Sequence, residues 1–154
     1  MGLVLVVGAV CARGQGAQSL SAKGGAVEFL YPEQVTVEAG KAAVVKLHFR
    51  VAEGMHINSH TPKDEFLIPT TLEFPEGMGV KLEKAEYPEG GEFALANDPG
   101  NKVSVYTRDF EIEAHIQAEK GNHLVEAKLH YQACNNTQCL PPRTATVAVD
   151  VIGK

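Results

Sequence analysis

The sequence predicts an all-β fold, an immunoglobulin-like antiparallel β-sandwich, and three observations carry that prediction. Apolar and polar residues alternate with a period of two in run after run, turn-forming residues interrupt the alternation at short intervals, and no stretch sustains a helical repeat with caps. About seven or eight short strands at this spacing suit a sandwich in a chain of this size. The 154 residues are enough for one domain with a hydrophobic core and too few for two of full size. A composition of 44% hydrophobic and 21% charged residues excludes collagen-like, coiled-coil and wholly disordered chains.

The chain opens on MGLVLVVGAVCA, whose apolar stretch from Leu3 to Ala12 is followed by the small, polar segment RGQGAQSLSAKGG. That stretch is too short to span a bilayer, and small residues around Val10, Ala12 and Ala17 offer cleavage positions. Residues 1–17 are therefore read as a secretory signal peptide, 18–24 as a flexible N-terminal segment and 25–154 as the domain itself. A buried N-terminal strand over VLVV is the alternative, disfavoured by the Gly-, Gln- and Ser-rich sequel. Export also accounts for the odd count of three cysteines. Cys11 leaves with the signal, and Cys134 and Cys139 reach an oxidising compartment where a pair can form a disulfide.

Within the domain, short strands are expected over Ala26–Leu30 and Val35–Glu38. The segment VVKLHFRV then places Val45, Leu47, Phe49 and Val51 on one face and Lys46, His48 and Arg50 on the other, the pattern of a half-buried strand. Two further short strands are expected over Thr70–Phe74 and Val80–Tyr87. In DFEIEAHIQ the buried set is Phe110, Ile112, Ala114 and Ile116; in HLVEAKLHY it is Val125, Ala127, Leu129 and Tyr131; in TATVAVDV it is Val147, Val149 and Val151. Turn signals at Glu38-Ala-Gly-Lys, Pro75-Glu-Gly, Glu119-Lys-Gly-Asn and Pro141-Pro142 separate these runs. The longest stretches read as non-strand are Gly54–Pro69 and Pro88–Lys102, and loops of that length on a compact sandwich usually serve binding or gating.

The chemical feature is the run YQACNNTQCLPP, in which Cys134 ends one strand and Cys139 precedes the next. Opposed positions of a hairpin can meet disulfide geometry. The six-residue loop so closed stabilises the fold by about 2 kcal/mol on chain-entropy arithmetic, near the bottom of the usual range. A short, accessible disulfide on a loop is better suited to being opened and closed than to stapling the sandwich. A purely structural hairpin disulfide stands beside that reading. The spacing is not Cys-x-x-Cys, and Pro141 and Pro142 lead into a strand rather than a helix N-terminus, so thiol activation would come from Arg143 or the surrounding loops.

At these residues the chain resembles the N-terminal domain of the thiol:disulfide interchange protein DsbD, a family also called the disulfide bond corrector domain. The pattern that carries the resemblance is Tyr-Gln-x-Cys, a short linker and Cys-x-Pro-Pro, from Tyr131 to Pro142, with looser similarity over GMHINSH and FLIPTTLEF. The resemblance implies an immunoglobulin-like fold with a redox-active pair and no cofactor or metal, located in the periplasm. It also implies that Cys139 forms the mixed disulfide with partners and that Cys134 resolves it. The implied partners are a thioredoxin-like domain or a membrane electron conduit as reductant and oxidised periplasmic proteins as substrates, with the domain itself monomeric. Family members join this domain to a membrane-spanning conduit and a C-terminal thioredoxin-like domain. Neither follows here before Lys154, so the chain is expected to be a standalone relative with its reductant on another chain, or a fragment.

The family also has a cap loop whose aromatic tip shields the cysteines. By order along the chain, ahead of a long strand expected over Val103–Gln117, the matching segment is Gly91-Glu92-Phe93-Ala94-Leu95, with Phe93 as the cap and Glu92 beside it. Lys63-Asp-Glu-Phe66 is the rival, although Phe66, followed by Leu67 and Ile68, reads equally well as ordinary core packing.

Other functions find less support. A net charge of -5 with no basic run argues against nucleic-acid binding. No Gly-x-Ser-x-Gly elbow, P-loop or His-Glu-x-x-His occurs. Met55, His56 and His60, with His48 and Met78, invite a copper-binding sandwich as a third reading, but two neighbouring cysteines do not suit a cupredoxin. The preferred role for His56 and Asn58 is to pin a loop by hydrogen bonds. The second reading is a non-catalytic sandwich that binds a protein partner and contains a structural disulfide.

Overall fold

The computed structural model describes residues 25–30, 34–96 and 98–154, so the signal segment read over 1–17 and the linker over 18–24 lie outside the described residues. The strands are β1 (Val27–Leu30), β2 (Val35–Val37), β3 (Ala42–Val51), β4 (His56–Asn58), β5 (Thr71–Glu73), β6 (Val80–Glu86), β7 (Gly91–Leu95), β8 (Asp98–Tyr106), β9 (Asp109–Ala118), β10 (Gly121–Tyr131), β11 (Ala133–Cys134) and β12 (Arg143–Gly153). They make three four-stranded sheets, with orders β1-β3-β9-β6, β2-β12-β10-β5 and β11-β4-β8-β7. All pairings are antiparallel except that of β2 with β12, which is parallel.

The first two sheets form the sandwich, and the alternating residues of β3, β9, β10 and β12 fill it. Phe49, Ile112, Ala114, Ile116, Val125, Ala127, Leu129, Val147 and Val151 are all 0% exposed and belong to one continuous cluster. Full burial of a Val, Leu, Ile or Phe side chain is worth about 1.5–3 kcal/mol, so these inward rows dominate the stability of the domain. Phe49 and Phe110, opposite each other across β3 and β9, stack with centroids 5.2 Å apart, and Tyr106 adds a third ring 4.8 Å from Phe110. The immunoglobulin-like sandwich expected from the alternation is the fold found.

Three expectations change. The two long segments read as non-strand both contain strands: β4 lies in Gly54–Pro69, and β7 with the start of β8 in Pro88–Lys102. The long strand expected over Val103–Gln117 is two strands, because Arg108 sits at φ 57, in the left-handed region, and turns the chain between β8 and β9. The Val51 amide donates to the Arg108 carbonyl at 2.7 Å and fixes that corner. Finally, Phe66 is not core: it is 85% exposed.

The third sheet sits at the end of the sandwich where β3 leads to β4, β8 to β9 and β10 to β11. Gly54, at φ 75, provides the left-handed turn residue between β3 and β4. Ile57 (0% exposed) and Tyr106 (3%) root this sheet in the main core.

Candidate thiol-disulfide site

Beyond Tyr131 the chain leaves β10, and its backbone is passed from partner to partner until it re-enters the sandwich at Arg143. The Asn58 amide donates to the Gln132 carbonyl at 3.3 Å, and Ala133 and Cys134 pair with Ile57 and His56 of β4. The Leu140 amide returns to the Ala133 carbonyl at 2.8 Å, closing the loop that carries both cysteines. At its tip Asn135 Oδ1 accepts from the amides of Thr137 and Gln138, both at 2.9 Å, an Asx turn that suits the Asn-Asn-Thr sequence. The two sulfurs are joined, 2.01 Å apart. Their surroundings differ: Cys134 is 2% exposed, whereas Cys139 lies on the exposed side of the loop. The disulfide expected to be accessible is thus accessible from one sulfur only.

Under this loop lies a hydrogen-bonded platform. Asn58 Nδ2 donates to the Ile68 carbonyl at 3.0 Å and to Gln132 Oε1 at 3.3 Å, and Thr70 Oγ1 donates to the Asn58 carbonyl at 2.6 Å. Asn58 therefore pins the loop as expected, whereas the His56 side chain meets the ring of Phe93 instead. His60 stacks on Tyr87 with centroids 3.7 Å apart, and its Nδ1 lies 2.9 Å from the Thr70 carbonyl. The Tyr106 hydroxyl donates to the Pro88 carbonyl at 2.9 Å and accepts from the His60 amide at 3.0 Å. Burial pushes the phenols of Tyr87 and Tyr106 up, so both stay neutral and serve as fixed hydrogen-bonding groups.

Phe93 approaches from the opposite edge of the third sheet. Its ring lies against that of His56 in a tilted contact, with centroids 4.2 Å apart and planes 35° apart, and His56 is the residue directly opposite Cys134. The β7–β8 hairpin can reach there because Gly90 has no side chain: a Cβ at that position would lie 2.1 Å from Ser104 Oγ and 2.7 Å from Ser59 Cβ. Ser59 donates to Ser104 at 2.8 Å beneath it, both hydroxyls buried. Glu92, next to Phe93, is gripped by Lys63 from the β4–β5 loop and by Lys102 from β8. Those two ammonium groups hold its carboxyl at about 2. Phe66, the rival cap, projects into solvent, its amide donating to Asp64 Oδ1 at 2.9 Å.

The remaining predicted residues border the loop. Tyr131 is 2% exposed in the core, opposite Arg143, which opens β12. Pro141 is exposed. The histidines of the copper reading do not converge: His48 faces Glu111, His60 is spent on Tyr87 and Thr70, and His56 faces Phe93. Sequence reasoning missed Lys63 and Lys102, for which no local pattern exists, and the position of His56 beside Cys134, which depends on recognising β4.

The described structure is a β-sandwich that carries at one end a single disulfide, with one cysteine buried and the other exposed. The chain belongs to the family described as thiol:disulfide interchange protein DsbD, N-terminal, whose pattern matches residues 26–151. Among solved structures, it is similar to the reduced DsbD N-terminal domain of Neisseria meningitidis, with 16% identity, a TM-score of 0.50, and coverage of 75% of this chain and 82% of that one. It is also similar to the N-terminal periplasmic domain of ScsB from Proteus mirabilis, with 14% identity and a TM-score of 0.52. That match covers 80% of this chain and 44% of the other. No curated protein sequence matches. Among the described residues no helix is long and apolar enough to cross a membrane.

The ion pairs at Glu92 make a prediction about the hairpin. A carboxyl held below its ordinary 4.5 contributes fully above that pH and loses its contribution as pH falls through about 2. Glu92→Gln is therefore expected to speed amide exchange in β7 a few-fold at neutral pH in low salt. The difference from the parent should shrink at roughly 1 M salt, where exposed pairs are screened. Equal exchange in both proteins at low salt would show that the pairs do not hold the hairpin.

Proposed function

We propose that the chain is an exported thiol:disulfide interchange domain, which passes electrons from a thioredoxin-like or membrane-bound reductant to disulfides of periplasmic proteins through Cys134 and Cys139. The observation that supports this best is the unequal exposure of two bonded cysteines five positions apart. Exchange proceeds by in-line attack of a thiolate on a sulfur, so access decides which sulfur meets a partner. Cys139 can be reached from outside, and Cys134 can be reached from Cys139.

In the cycle the Cys139 thiolate attacks a partner disulfide, one partner sulfur departs as a thiolate, and a mixed disulfide forms. Cys134 then attacks Cys139, expels the second partner sulfur and closes the Cys134–Cys139 bond. Two electrons have moved to the partner. Reduction runs the same steps backwards: a reductant thiolate attacks Cys139 and releases Cys134. The ring contact of Phe93 with His56, the residue opposite Cys134, supports the cap role for Phe93 rather than Phe66. An aromatic ring there closes the Cys134 side of the bond to small thiols, while a docking protein can replace it with its own surface. The periplasm is the compartment this reading requires.

Two outcomes are expected. Reduced Cys134→Ser protein, mixed with a single-cysteine thioredoxin activated as its thionitrobenzoate disulfide, should release thionitrobenzoate and accumulate a mixed disulfide through Cys139, visible by non-reducing electrophoresis. Cys139→Ser should react far more slowly under the same conditions; faster trapping through Cys134 would reverse the assigned roles. For the cap, Phe93→Ala should speed reduction of the disulfide by glutathione several-fold in stopped-flow measurements and leave its equilibrium constant unchanged. An unchanged rate would remove Phe93 from that role.

A further inference from the structure

His56 is a buried titratable group to which the exchange cycle assigns no task. It is 3% exposed on β4 and lies directly opposite Cys134 in the pairing of β4 with β11. Opposed residues of an antiparallel pair send their side chains to the same face, with Cβ atoms about 4.5–5.5 Å apart. An imidazole at that position is within reach of a Cys134 thiol released from its disulfide. Phe93 covers the ring, 4.2 Å away.

Resting on the exchange reading above, we propose that His56 is the proton acceptor for the Cys134 thiol, and that Phe93 governs its access to water. A thiol as deeply buried as Cys134 resists ionisation, yet only the thiolate can resolve the mixed disulfide. Burial also pushes the His56 imidazole below its ordinary 6.5, so it stands neutral with a lone pair available, and the cost of charging it there is offset by the attraction of the imidazolium for the thiolate formed beside it.

Among the described residues, the charged groups near His56 are committed elsewhere. Burial is the sole cause of the His56 shift. From β11 the group facing it is Cys134, and from β7 it is Phe93, whose neighbour Glu92 is bound to Lys63 and Lys102. On β8, Tyr106 is paired with Ile57 and so belongs to the other face of β4, its hydroxyl held between Pro88 and His60. His60 is itself committed to Tyr87 and Thr70.

In the resolving step the Cys134 Sγ–H proton passes to an imidazole nitrogen of His56. The Cys134 thiolate attacks Cys139 Sγ, the Cys134–Cys139 bond forms, and the bond from Cys139 to the partner breaks. The partner sulfur leaves with the bonding pair and is protonated by solvent, and the imidazolium returns its proton to water admitted when Phe93 is displaced.

The test is the pH dependence of iodoacetamide alkylation at Cys134 in reduced Cys139→Ser protein, mapped by mass spectrometry, with His56 intact or replaced by Phe or Gln. His56→Phe keeps an aromatic ring against Phe93, and His56→Gln keeps a polar group without a titrating one. Both are expected to raise the apparent thiol pKa by roughly one unit, which slows alkylation near pH 7 about tenfold. With both cysteines present, both should slow resolution of the mixed disulfide to a similar extent. Superimposable pH profiles in the folded variants would overturn the proposal, and His56→Gln decides if His56→Phe does not fold. Unshifted profiles with normal trapping of partners would leave the exchange reading standing without His56. A shifted profile with no mixed disulfide under any condition would count against the exchange reading and uphold the coupling of His56 to Cys134.

Discussion

The two-residue pairing of β11 with β4 is the constraint on which the cysteine end of the molecule depends. Ala133 and Ile57, opposite each other, are 3% and 0% exposed and belong to the sandwich core, so the pairing is anchored by apolar burial as well as by backbone hydrogen bonds. One residue further, Cys134 is drawn inside and set against His56. The chain must then turn back within a few residues to reach β12, and the Asx turn at Asn135 accomplishes this while leaving Cys139 outside. A disulfide too short to contribute much as a staple thereby acquires an inner and an outer sulfur.

The division of labour in the fold follows from where apolar area is concentrated. The long strands β3, β9, β10 and β12 supply fully buried rows and hence a rigid body, while the segments at one end are held by polar contacts of lower individual worth. Loop 59–70 is tied down through Asn58, His60 and Thr70, and the β7–β8 hairpin through Glu92 and the ring contact of Phe93. Surface ion pairs and a single aromatic contact are weak enough to be exchanged for contacts with a docking protein. An element that must yield to a partner is expected to be held in this way. Lys63 also joins the two segments that competed for the cap role: the loop bearing Phe66 helps hold the strand bearing Phe93.

Much of this architecture was legible in the sequence, for a physical reason. Where one face of a strand is buried and the other is wet, as in β3, β9, β10 and β12, the period of two is written directly into residues such as Val45, Leu47, Phe49 and Val51. The third sheet was not legible, because β4, β11 and the end of β8 are buried on both faces while β7 and the start of β8 are largely exposed, so neither part shows a buried row alternating with a wet one. Val103, Ser104, Val105 and Tyr106 are all covered, as are His56, Ile57 and Asn58, so no alternation marks them. Asn58 and Ser104 there are satisfied by internal hydrogen bonds, which makes a buried strand read as a loop. Arg108 carries no glycine-like signal for its left-handed turn, which hid the break between β8 and β9. The cysteine motif itself was legible from Tyr131 to Pro142, and the placement of Phe93 agrees with order along the chain, whereas the task assigned to His56 required the strand register.

The central claim is that the Cys134–Cys139 bond exists to be opened and closed. Its reduction potential tests that claim most directly: the domain is equilibrated in dithiol buffers of graded potential, and the free fractions of Cys134 and Cys139 are quantified by alkylation and mass spectrometry. A value above roughly -300 mV, within the range of exchanging protein disulfides, is the predicted result. A value well below that range would mark a structural bond and contradict the account.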